Sequence, residues 1–134
     1  MREIIFRGKR VDNGEWVYGD LLHPDIYGNG YSIEDFRQVK NNCFDVDPAT
    51  VGQYTGLTAN GKRIFEGDIV TGLFLFERPI AGVVTFRDGS FGVKWMRGRV
   101  EEFSAFTSCC NVAWEVIGNV ADNPELLEGG VNDG

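Results

Sequence analysis

Val51-Gly-Gln-Tyr-Thr-Gly-Leu-Thr-Ala-Asn-Gly-Lys-Arg-Ile-Phe-Glu-Gly-Asp-Ile-Val70 concentrates the most restrictive local chemistry of the chain. Asn60-Gly61 lies between two β-prone runs, and Asn-Gly is the dipeptide best able to hold positive φ at both central positions of a two-residue hairpin turn. Gly52, Gly56 and Gly67 stand where a side chain would hinder a turn or a close backbone approach. The stretch therefore reads as strand, tight turn, strand. Glu66-Gly67-Asp68, directly before the β-branched pair Ile69-Val70, reads as a further turn whose acids accept main-chain hydrogen bonds. Asn60, Gly61, Glu66, Gly67 and Asp68 are accordingly expected to shape the backbone.

Downstream, short β-prone runs follow at Ile64-Phe65, 68–71, 81–86, 91–95, 99–103 and 113–117. Asp88-Gly89 supplies a second hairpin turn, because Asp-Gly accepts the same positive φ. A turn before a β-branched pair, two hairpins and a late strand resemble the way many SH3-like barrels begin and close, a likeness of fold that carries no function by itself. Upstream, Ile4 to Arg10 and Trp16 to Leu22 flank Asn13-Gly14 and predict an N-terminal hairpin. Its second arm puts Trp16, Tyr18 and Asp20 on one face, because side chains alternate along a strand. Residues 31–39 fit both periods, with 33, 36 and 39 at helical steps and Tyr31 and Ile33 alternating; the β character of the surroundings favours a strand. Asp47-Pro48-Ala49-Thr50 reads as one helical turn with Asp47 as cap and Pro48 in first position. Asn123-Pro124-Glu125 predicts a short closing helix, Asn123 capping and Gly129 stopping it.

Three ordered pieces of this sequence resemble the YopX family. They are the opening Arg2-Glu-Ile-Ile-Phe-Arg-Gly-Lys-Arg with Gly14-Glu-Trp-Val-Tyr-Gly19, the central Gly52-Gln-Tyr-Thr-Gly-Leu57 with Asn60-Gly-Lys62 and Ile64-Phe-Glu-Gly-Asp-Ile-Val70, and the closing Glu115-Val-Ile-Gly-Asn-Val with Asn123-Pro-Glu-Leu-Leu127. Together they frame nearly the whole chain. The resemblance implies a β-rich fold and a phage or prophage context in a bacterial host. The family brings no activity and no catalytic residue to carry over.

The expected architecture is mainly β: an SH3-like barrel with an added N-terminal β-hairpin region and a short C-terminal helix. It occupies one domain, 1–128, made of an N-terminal β subregion (1–50) and the barrel with its helix (51–128). A mobile tail, 129–134, follows. A chain of 134 residues buries about two thirds of its extended surface on folding, enough for a core without crosslinks.

The formal charge of −7 repels a phosphate backbone and removes the electrostatic attraction on which non-specific nucleic-acid binding rests. The cations are uneven, however, with Arg2, Arg7, Lys9 and Arg10 near the start and Arg87, Lys94, Arg97 and Arg99 later. Cys43, Cys109 and Cys110 are an odd set read as reduced thiols. With His23 they lack the spacing of a metal knuckle, so neither metal nor cofactor is expected. With no basic-then-apolar leader and no apolar run near the ~20 residues that cross a bilayer, a soluble cytoplasmic protein is expected.

Leu73-Phe74-Leu75-Phe76 puts four large apolar residues in a row, more than one strand face can hide. Either both faces of that strand are buried, or one meets another subunit. With Trp16, Tyr18, Tyr54 and Trp95 these are the candidate interaction residues. The expected role is that of a non-enzymatic accessory protein contacting a phage or host protein and copies of itself. Two alternatives stay open. One is single-stranded nucleic-acid binding through a local basic and aromatic patch. The other is hydrolysis by the carboxylates of Glu66 and Asp68, which an extended backbone would point the same way.

Overall fold

The computed structural model describes residues 2–23, 30–73, 79–108 and 113–127. Two antiparallel sheets carry the fold. The strands are β1 (Phe6–Lys9), β2 (Trp16–Leu22), β3 (Ser32–Asp35), β4 (Cys43–Asp45), β5 (Gly52–Ala59), β6 (Lys62–Phe65), β7 (Asp68–Leu73), β8 (Pro79–Arg87), β9 (Ser90–Arg97), β10 (Val100–Ala105) and β11 (Glu115–Asn119). The sheet orders are β4-β3-β2-β1-β5-β6 and β10-β9-β8-β7-β11. By compactness the chain divides into two units, Met1–Gly56 and Leu57–Gly134.

In the first unit the predicted hairpin forms. Gly14, at φ 74°, reverses the chain, and its N–H donates to the Arg10 carbonyl at 2.9 Å. The register pairs Gly8 with Val17 and Lys9 with Trp16. Leu21 meets Ile33, and Ile33 in turn meets Phe44, so these side chains share one face. That face is the core of the unit: Val17, Ile33 and Val46 are buried, with Phe6, Leu21, Tyr31, Phe44 and Val51 packed against them. Residues 31–39 resolve as a four-residue strand ending in a turn. The strand stops because the Asp35 carboxylate accepts the Arg37 N–H at 2.8 Å, two residues on, which draws the backbone out of the ladder. Asp47 caps the 3-10 turn Pro48–Thr50 through the Ala49 N–H.

In the second unit β7 to β10 form an up-and-down meander, and β11 returns to pair with β7. Asn60 (φ 51°) with Gly61 (φ 80°), and Asp88 (φ 52°) with Gly89 (φ 81°), hold the left-handed geometry that their chemistry predicts. The buried core is Ala59, Ile64, Val70, Val84 and Val93, joined by Trp95, Phe106, Trp114 and Val116. The expected barrel does not close. Its two end strands, β10 and β11, have no ladder between them among the described residues. A register shift between Val116 and Gly118 interrupts β11 on its way along β7, and such a bulge bends the strand and twists it away from further pairing.

At the C-terminal end, residues 125–127 are helical. The Leu126 N–H donates to the Asn123 carbonyl at 3.1 Å. The Asn123 side chain does not act as the expected cap; its Oδ1 accepts the Asn119 N–H at 3.2 Å and ties the turn to the end of β11. Gly129 and the tail at 129–134 lie outside the described residues. Among the described residues no helix is long and apolar enough to cross a membrane.

Candidate functional site

The predicted carboxylate pair belongs to the joint between β6 and β7. Asp68 is 3% exposed, and its Oδ2 accepts the buried Phe65 N–H at 2.7 Å. Between them Gly67 adopts φ 89°. Its N–H donates to the Val84 carbonyl and its own carbonyl accepts the Val120 N–H, both at 2.9 Å. One glycine thus ties β8 and the residue after β11 to the start of β7. Glu66 is half-buried in the same turn. Asp68 thus directs an oxygen at the main chain of the turn.

The aromatic candidates of the first unit come together with cations. Arg7 lies over the Trp16 ring at 4.7 Å, and Lys9 approaches the same ring at 5.6 Å. Arg37 lies over Tyr18 at 5.8 Å, and Arg10 over Phe44 at 4.0 Å. Guanidinium groups over ring faces gain from the quadrupole, more so where water is excluded, and Arg7 and Tyr54 are both buried. A nucleic-acid base stacking on Trp16 would have to compete with cations already there. Arg10 is further engaged by Asp12 at 2.6 Å. In the second unit Arg87 and Lys94 both face Glu101, at 2.7 and 3.8 Å, and Arg87 covers the Phe103 ring at 5.0 Å. Trp95 is half-buried against the core. Of Leu73 the backbone lies in β7; its side chain, together with Phe74, Leu75 and Phe76, lies outside the described residues, as do Cys109 and Cys110. Cys43 is an exposed free thiol. No group of three His, Cys, Asp or Glu side chains is placed to hold a metal ion among the described residues.

A family model described as YopX protein matches residues 5–128. The chain belongs to the YopX family. The match spans both sheets of this YopX chain, so the family fold includes the first unit as well as the meander. No curated protein matches the chain.

Sequence reasoning missed the Asp35–Arg37 pair. Asp35 is 1% exposed at the end of β3, and Arg37 grips it through Nε at 3.1 Å and Nη2 at 2.9 Å while Nη2 reaches the Trp16 carbonyl at 3.4 Å. The available signal was Asp-Phe-Arg, an acid whose side chain can bond the N–H two residues on; the competing helix and strand periods obscured it. Hydrogen bonding from the Arg37 side chain holds the Asp35 carboxyl below its ordinary range despite burial. A carboxyl depressed in the folded state contributes stability that is fully present above its unfolded value of about 4 and is lost as pH falls through the folded value. Replacing Arg37 with Gln is expected to weaken folding at neutral pH and to flatten the acid limb below about pH 4. Circular dichroism across an acid titration checks this, and an unchanged acid limb would remove the pair from the stability of the first unit.

Proposed function

We propose that this YopX-family chain is a non-enzymatic accessory protein of phage or prophage origin that works through protein contacts in the host cytoplasm and associates with copies of itself. The observation that carries this is large apolar side chains standing in solvent at turns whose backbone is firmly held. Val39 is 95% and Phe36 59% exposed on the β3–β4 turn. At the end of β8 beside the β8–β9 turn, Phe86 continues the face that buries Val84 and Val93 yet is 53% exposed, with Phe91 edge-on at 5.0 Å. An apolar stripe that runs past its core into water supports a contact surface there. The main-chain role of Asp68 speaks for structure over hydrolysis at that position, and the ring-bound and acid-bound cations speak against a free basic patch. The strand order of the second unit, with β11 pairing to β7 after the 3-10 turn Phe106–Ser108, supports an SH3-like body left open on one side.

Sedimentation velocity over a concentration series tests the self-association. A mass that is a multiple of the single chain is expected. A strict monomer at the highest concentration reached would overturn that part of the proposal.

A further inference from the structure

We infer that the β3–β4 turn, residues 36–42, is the self-association surface, and that it seats on the acidic β2–β3 face of a second copy of this chain, in a two-fold arrangement. The inference rests on the proposed self-association and names where it occurs.

Residues 36–42 read Phe-Arg-Gln-Val-Lys-Asn-Asn, with two cations and no acid in a chain of net charge −7. The base of the turn is fixed. Asp35 donates its N–H to the Asn42 carbonyl at 2.7 Å and its carbonyl accepts the Gln38 N–H at 3.3 Å, while its side chain holds the Arg37 backbone and guanidinium. Asn41 completes the reversal at φ 51°. With Arg37 drawn back onto Asp35, Phe36, Val39 and Lys40 are left exposed. Ordering such a turn on binding costs little further conformational entropy, because its ends are already tied.

The complementary surface lies beside it on the same sheet. Asp20 and Glu34 are direct cross-strand partners, and both are exposed. Like charges directly opposite one another on a sheet face destabilise it. Among the described residues neither is in an ion pair, and Glu34 is met only by the Asn42 amide at 3.4 Å. A cation placed over this pair from outside would relieve the repulsion. Lys40 has no ion-pair partner among the described residues either. Because the donor turn and the acceptor face are adjacent within one unit, a two-fold axis next to the turn brings Lys40 of each copy to Glu34 of the other, and makes both contacts at once. Phe36 and Val39, both exposed in the single chain, then lose water against the partner. The Phe86 stripe of the second unit carries no such paired charges, which assigns it to a different contact.

The test uses charge reversal between copies of the full chain. Lys40→Glu places acid against acid in a homodimer, and Glu34→Lys places base against base, so each variant alone is expected to associate at least about tenfold more weakly than wild type. Mixed in equal amounts, the two variants pair Glu at 40 with Lys at 34 at one contact and keep the native pair at the other. The mixture is therefore expected to regain a dimer that neither variant forms. Sedimentation velocity reads the association, and thermal melts of each variant confirm that the fold is kept. If the mixture fails to regain the dimer, or both single variants associate as wild type does, the assignment is overturned. Loss of association in Phe86→Ser with the charge variants unaffected would overturn it too, while leaving self-association itself standing. A wild-type monomer would sink both.

Discussion

Gly19→Ala is expected to prevent the first unit from reaching its native sheet. Gly19 sits in the middle strand of the β1-β2-β3 ladder, opposite Phe6 on one side and Asp35 on the other. A Cβ at this position would lie 1.8 Å from the Glu34 carbonyl oxygen and 2.8 Å from its carbon. Both are backbone atoms of a paired strand, so no side-chain rotation relieves the clash; β3 has to move away from β2. That shift would break the pairing that buries Ile33 and would draw Arg37 away from the Trp16 carbonyl and the Tyr18 ring. Overpacking a well-ordered interior costs about 1–3 kcal/mol when side chains can adjust, and a backbone clash belongs at or above the top of that range. Gly14→Ala is the matched control in the same hairpin. It holds φ 74° with nothing within 4 Å of an added Cβ, so only the left-handed conformation is penalised, at ~1 kcal/mol. Urea denaturation followed by amide exchange in β1 to β3 separates the two. Equal, small effects would mean that β2 and β3 tolerate a wider spacing than the register implies.

The contrast between these two glycines also explains what the sequence makes visible. Gly14, Asn60-Gly61 and Asp88-Gly89 announce themselves because the chemistry that requires them is local: a positive φ depends on the residue and its neighbours alone. The three hairpins they organise were therefore legible, as was the Asp47-Pro48 turn, whose cap lies two residues from its donor. Gly19 reads as an ordinary strand residue, because its constraint comes from a carbonyl fifteen positions away. The same distance hides β4. Cys43–Asp45 has little β character of its own and becomes a strand by pairing with β3 and by the Val11 N–H donating to the Asp45 carbonyl. Closure of the barrel is not legible in the sequence for a related reason. Successive β-prone runs fix a meander, but whether its ends meet depends on the twist of every strand between them and on the bulge at Ile117, neither of which short-range pattern encodes. At the candidate sites, Trp16 and Tyr18 were correctly placed on one face by alternation. That Arg7 and Lys9 meet Trp16 follows only from the β1–β2 register, and that Arg37 meets Tyr18 follows from the fold of the turn after β3.

Asp68→Ala is expected to destabilise the second unit by about 1–3 kcal/mol, because it leaves the buried Phe65 N–H without the side-chain oxygen that now accepts it. Asp68→Asn is expected to cost less, under about 1 kcal/mol, since the amide oxygen can still accept that N–H. The ordering of the two variants separates a reacting group from a structural one. A carboxylate that works by reacting loses its function equally in both, and neither change need disturb folding. A side chain that works by holding the main chain is sensitive to the loss of its acceptor oxygen and far less to the exchange of carboxyl for amide. The surroundings favour the second behaviour: the same turn binds Val84 and Val120 through the Gly67 peptide groups, so slack at Phe65 is transmitted to β8 and to the end of β11, and the Val70, Val84 and Val93 core loosens with them. Urea midpoints for the two variants, with amide exchange at Phe65 and Gly67, read this out. Alanine and asparagine variants of equal, wild-type stability would return Asp68 to the list of groups free to do chemistry.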